Sequence, residues 1–123
     1  MKLTENFDLA EFNCNDGIKV PAELMPNVKE LAANLQVLRN EIGEPIRINS
    51  AYRHPAYNKR IGGVPSSQHL KAKAADITAK SYTPKRLAAV IERLINAGKM
   101  KQGGIGIYPG FTHYDIRGIK ARW

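Results

Sequence analysis

The sequence predicts an α+β fold, with an antiparallel sheet and two main helices packed against it. Three observations point there. Apolar residues recur at helical spacing in two separate segments, 27–42 and 84–97. Short stretches at 46–50, 74–79, 103–108 and 111–116 read as strands from alternation, small residues or β-branched side chains. Pro109-Gly110 supplies a tight turn between the last two, which makes them an antiparallel hairpin. At 123 residues the chain reads as one domain, 1–123, large enough for a single core but not for two.

Each element has a local reason. Residues 1–20 form an irregular leading segment in which Leu9-Ala10-Glu11-Phe12 makes one helical turn, anchored by Phe7 and Phe12. Pro21 and Pro26 bracket a short turn. From Asn27 to Ile42, Val28, Leu31, Ala32, Leu35, Leu38 and Ile42 fall on one face, and Lys29, Glu30, Asn34 and Glu41 on the other. Gly43 is placed as a C-cap residue, and Pro45 prevents resumption. Ile46-Arg47-Ile48-Asn49-Ser50 alternates as a half-buried strand, and Ala56 to Ile61 forms a short helix that Gly62-Gly63 breaks. In the strand 74–79, period two puts Ala74, Asp76 and Thr78 on one face and Ala75, Ile77 and Ala79 on the other. Thr83-Pro84 is a cap followed by a first-turn proline; Leu87, Val90, Ile91, Leu94 and Ile95 give that helix its stripe, and Gly98 ends it. Gly103 to Gly106 lacks the Lys-Ser/Thr and the following helix of a phosphate-binding loop. Close backbone approach is the better reason for these glycines.

Composition excludes several function classes. Charged residues make up 24% and hydrophobic ones 43%, as in ordinary globular chains, and no apolar run approaches membrane-spanning length. The first residues have no apolar signal-peptide core, so synthesis without export signal is expected. The single cysteine, Cys14, cannot make an internal disulfide, and with no Cys or His close in sequence it reads as a small packed side chain. The net charge of +8 suits a polyanionic partner, whether nucleic acid, membrane surface or bacterial cell wall. The basic residues are scattered, however, and no helix-turn-helix, zinc-finger spacing or aromatic-basic platform accompanies them. Neither nucleic acid nor membrane is therefore expected as a partner, and a monomer is expected.

The stretch around His69 and Asp76 stands apart. Their seven-residue separation is wrong for two ligands on one helix face. It suits a His on a loop and an Asp inside the following strand. The chain holds only three His, at 54, 69 and 113, and His113 lies in a strand. His54, before Pro55, reads as a turn residue. Two His and one carboxylate make a ligand set for catalytic zinc, with water in the fourth position. The plainer alternative is a surface ion pair or a satisfied turn. His113 and Asp115 are two apart on one strand and so leave the same face.

The motif Ser-x-His-x-x-Ala-x-Ala-x-Asp over 67–76, with His-x-Asp at 113–115, resembles the D-alanyl-D-alanine carboxypeptidase family of zinc peptidases, a group that also includes phage endolysins and the hedgehog signalling domain. The likeness extends through Phe7 to Phe12, Asn49 to Arg53, Ile61-Gly62-Gly63 and Trp123; the family usually has Gly where this chain has Ala72. The resemblance implies a hedgehog-like sheet carrying zinc (Zn2+) on His69, Asp76 and His113. It implies that Arg53 faces the site as a substrate contact, with Ser67 and Gln68 as further contacts. In much of the family the base lies two or three residues before the last ligand, where this chain has Phe111 and Gly110. Asp115 is the ionisable side chain that spacing leaves for the role of base, the alternative being to orient a ligand. The implied function is hydrolysis of peptidoglycan stem or cross-link peptides, by a D-Ala carboxypeptidase or endopeptidase of endolysin type that reaches the wall by a holin-type route. The alternatives are a non-catalytic zinc-containing binding module of the same fold and a basic nucleic-acid-binding domain.

Overall fold

The computed structural model describes residues 1–123. After the 3-10 turn Leu9–Phe12, where Asp8 caps Ala10 N–H and Glu11 reaches back to Asp8 N–H, the chain enters helix α1, Met25–Ile42. This helix begins two residues before its sequence-derived start because Pro26 sits in its first turn, where a missing N–H breaks no bond. Gly43 ends it in the left-handed conformation, φ 69°. Strand β1 (Ile46–Ser50), helix α2 (Pro55–Arg60), strand β2 (Ala74–Ala79) and helix α3 (Pro84–Asn96) follow. The chain closes with β3 (Gly104–Ile107), β4 (Thr112–Asp115) and β5 (Ala121–Arg122). His54 caps α2 and Thr83 caps α3, each by a side chain that accepts from the first turn.

The five strands form one sheet in the order β1-β2-β4-β3-β5. The pairs β1–β2, β2–β4 and β3–β4 are antiparallel, and β3–β4 is the expected hairpin. The pair β3–β5 is parallel, so the sheet is mixed and not wholly antiparallel as expected. Two residues are too few for a periodic signal; backbone pairing holds β5, with Ile107 N–H donating to Trp123 O and Trp123 N–H to Ile105 O.

Helices α1 and α3 cover one face. Val28, Leu31, Leu35 and Leu38 of α1 and Leu87, Ile91 and Leu94 of α3 join Ala75, Ile77, Ile105 and Tyr114 of the sheet in one core. The period-two split of β2 therefore holds: Ala75 and Ile77 face the core, and Asp76 faces away. Register then aligns Ser50, Asp76, His113 and Gly106 in one row across β1, β2, β4 and β3 on the open face. No helix is long and apolar enough to cross a membrane.

Candidate metal centre and substrate cleft

The row supplies two members of the site, and the loop before β2 supplies the third. Ser67 caps a 3-10 turn, Gln68–Lys71, by accepting from His69 N–H, and His69 is thereby fixed at the sheet's open face. Arg53 N–H donates to His69 O, which ties the end of β1 to the same turn. His69, Asp76 and His113 are all buried, and one ligand atom of each lies within 4.8 Å of the others. His69 Nε2 is 3.3 Å from Asp76 Oδ2, and His113 Nδ1 is 3.0 Å from Asp76 Oδ1.

Hydrogen positions show what this set is suited to hold. His69 Nδ1 lies 2.6 Å from Ala51 O, a carbonyl that can only accept, so that nitrogen carries the ring proton. In the neutral ring, Nε2 then turns a lone pair toward the Asp76 carboxylate. His113 Nε2 lies 2.8 Å from Asp115 Oδ2, which leaves Nδ1 facing Asp76. Lone pairs from three groups thus converge inside the protein. A divalent cation satisfies them, and the separations fit the spacing of about 3.4 Å for ligands about 2.1 Å from a tetrahedral zinc. Charges point the same way. Burial alone would raise the Asp76 carboxyl, but the facing His113 and His69 rings, which become donors when protonated, hold it well below the usual range. Burial would depress His113, yet the Asp115 and Asp76 carboxylates outweigh it and favour a positive charge between them.

Asp115 lies behind His113, not in the cleft. It is fully buried, and both oxygens are taken: Oδ1 by Gly104 N–H, Arg117 N–H and Arg117 Nε–H, Oδ2 by His113 and Arg117 Nη2. Burial would raise its carboxyl, but these donors hold it far below the ordinary value. A carboxylate so occupied has no room to take a proton from water in the cleft, and the structure does not bring it to the position expected of a base. Spacing gave the right face; it could not say which nitrogen of His113 Asp115 would meet. Gly104 is required by this contact, since a Cβ there would lie 2.3 Å from Asp115 Oδ2.

The cleft over the row has a volume of about 370 Å³, and Arg53, Ser67, Gln68, His69, Asp76 and His113 all line it. Arg53 divides its donors among Ser50 Oγ (3.2 Å), Asn58 Oδ1 (3.3 Å) and Asp76 Oδ2 (3.2 Å). Ser67 is nearly buried, its hydroxyl engaged with His69 N–H. The opposite wall is aromatic. Tyr108 and Phe111 stack with centroids 4.5 Å apart, Trp123 Nε1–H donates to Tyr108 Oη, and the indole lies 5.0 Å from the His113 ring. Gly106 admits that indole; a Cβ would meet Trp123 Nε1 at 2.5 Å.

Sequence reasoning passed over three of these residues. Asn58 is buried and holds both Arg53 and Val64 O; nothing local marks it. Tyr108 and Arg117 line the cleft, and for Arg117 the alternation His113, Asp115, Arg117 was the usable signal. Cys14 is also less isolated than its sequence surroundings suggest, because folding brings Asp16 and His54 to it.

Two comparisons bear on the site. A family model described as peptidase M15 matches residues 5–115. The zinc D-Ala-D-Ala carboxypeptidase of Streptomyces albus G is 33% identical over 125 residues, covering 96% of this chain and 48% of that protein. The chain thus spans about half the length of this relative.

Proposed function

The chain belongs to the peptidase M15 family, and we propose that it is a zinc peptidase that hydrolyses stem or cross-link peptides of bacterial peptidoglycan, in the manner of a phage or prophage endolysin. The observation that carries this reading is the convergence of His69 Nε2, Asp76 and His113 Nδ1 in a cleft, with the His69 proton committed to Ala51 O. We assign these three as the zinc ligands. Bound zinc supplies Lewis-acid polarisation of the scissile carbonyl and makes water nucleophilic near neutral pH.

The chain's own side chains then divide the remaining work. Asp115 accepts from the far nitrogen of His113 and fixes the ring's tautomer and tilt, the support that metal-binding histidines generally have. Arg53, tethered on Ser50 and Asn58, offers its remaining N–H groups to a substrate carbonyl or carboxylate and sits beside Asp76. Gln68 faces the same space, while Ser67 acts through His69. The aromatic wall excludes water from one side of the cleft.

One observation favours a second reading, a zinc-containing binding module. Asp76 is the only carboxylate lining the cleft, so no free one stands ready as a base. Zinc content and turnover on purified peptidoglycan separate the readings. Release of D-alanine or newly freed amino groups, abolished in His69→Ala, supports the peptidase. Stoichiometric zinc with no cleavage of wall or stem peptides would overturn it in favour of the module.

A further inference from the structure

Arg117 has side-chain donors that no protein group uses. A guanidinium has five N–H groups in a planar fork. Asp115 takes Nε–H at 2.9 Å and one Nη2–H at 2.8 Å, so one edge is fully engaged. The opposite edge, Nη1 and the second Nη2 proton, meets no protein acceptor. Arg117 lines the cleft, with its side chain 31% exposed against 14% for Arg53. Its plane is fixed from two directions, by Asp115 along one edge and by the Trp123 ring 5.3 Å from its central carbon. Arg53 is different: each of its three nitrogens is bound to a different protein acceptor, and it keeps no edge whole.

From this geometry we infer that Arg117 reads a carboxylate of the substrate peptide. A rigid, complete guanidinium edge matches a carboxylate through two parallel hydrogen bonds, whereas an amide carbonyl takes only part of it. Asp115 does not cancel this edge, because its charge is shared with His113 and two backbone N–H groups. Two substrate groups offer this chemistry: the α-carboxylate of the last residue, and a side-chain carboxylate within the peptide. Arg117 would thereby set specificity in the proposed peptidase, and the inference rests on that reading for its substrate class.

The test is binding and turnover by the zinc-loaded protein with matched peptides. One pair ends in D-alanyl-D-alanine as free acid or as C-terminal amide. A second pair carries glutamate or glutamine at the internal position. One of the two replacements should weaken binding about 10–100-fold, and which one does so identifies the carboxylate that is read. In Arg117→Gln that ratio should fall to near one, and Arg117→Lys, which keeps a charge beside Asp115 but not the fork, should lose most of it. Arg60→Gln, outside the cleft, should keep it. A purely structural role for Arg117 would lower binding of both members of a pair equally and leave the ratio intact, which would overturn the inference. Equal binding of acids and amides by the wild-type protein would overturn it without any variant, as would failure to bind any of the peptides. Discrimination without cleavage would sink the peptidase reading but not Arg117; cleavage without discrimination would do the reverse.

Discussion

Two clusters in this chain bring three ligand-type side chains within 4.8 Å of one another: His69, Asp76 and His113 in the cleft, and Cys14, Asp16 and His54 where the leading segment meets α2. Distance alone does not tell them apart. Proton placement does. In the cleft, His69 gives its Nδ1 proton to a carbonyl and keeps Nε2 free. In the other cluster, His54 Nδ1 accepts from Tyr57 N–H as the cap of α2, so the neutral ring carries its proton on Nε2 and spends it on Asp16 at 2.5 Å. The second imidazole therefore has no lone pair to offer unless the helix cap is given up. That hydrogen bond also holds the Asp16 carboxyl down at about 2. A metal set is thus recognised by where its protons are anchored, and the second cluster is a polar clasp on the leading segment.

The largest expected effect tests this contrast directly. Protein purified without added metal should carry one zinc per chain by elemental analysis. His69→Ala should lose it, while Cys14→Ser and His54→Asn keep the full complement. A second equivalent of zinc that disappears in Cys14→Ser would show that the clasp reading is wrong.

The next effect concerns the anchoring behind His113. Asp115→Asn is nearly isosteric but replaces an oxygen acceptor with an amide that can turn a donor toward the ring. Zinc affinity should fall about 10–100-fold, as for other outer partners of metal-binding histidines, with activity restored by excess zinc. Normal zinc affinity with a lasting loss of turnover would instead return Asp115 to the chemistry as a base.

Much of this contrast was legible in the sequence, for physical reasons that also set its limits. Periodicity placed α1, β2 and α3, because which face is buried depends on spacing along one element. Gly43 and Thr83 marked helix ends because left-handed and capping positions restrict residue type. His69, Asp76 and His113 stood out because few other His exist. Three things were not legible. Strand β5 is two residues long, too short for a periodic pattern, and its Arg122 is held by Glu92 and Gly103 O, partners distant in sequence. The meeting of Cys14 with His54 depends on tertiary folding of the leading segment. The place of Asp115 depended on the rotation of a neighbouring ring, which period two does not determine.

Each acid also has an arginine, and these should differ. Arg53 reaches Asp76 at 3.2 Å with both side chains nearly buried, while Arg60 reaches Asp16 at 3.7 Å with most of its side chain in solvent. Arg53→Lys keeps the charge but can serve only part of its three acceptors. It should reduce kcat/KM about tenfold with zinc retained and a modest fall in Tm. Arg60→Ala should leave zinc content, activity and Tm unchanged, as is usual for exposed pairs. A collapse of folding in Arg53→Lys would make that residue structural before anything else.

The smallest effects lie in the backbone of the two clusters. Both use a left-handed residue, but the clasp has Gly17 at φ 99° and the cleft has Ala72 at φ 56°, the only non-glycine residue with positive φ. Gly17→Ala meets no atom within 4 Å, so its cost is conformational and should be about 1–2 kcal/mol, read from chemical denaturation. Ala72→Gly is a balance of opposed contributions. Relief of the left-handed strain returns about 1–2 kcal/mol. Against it stand about 0.8 kcal/mol for a fully buried methyl and about 0.4–1 kcal/mol for the greater freedom of glycine in the unfolded chain. The two sides nearly cancel, so Tm should move by only a few degrees in either direction, with zinc affinity unchanged. A loss comparable to that of Gly17→Ala would mean that methyl packing beneath the His69 turn, not backbone conformation, determines the residue at this position.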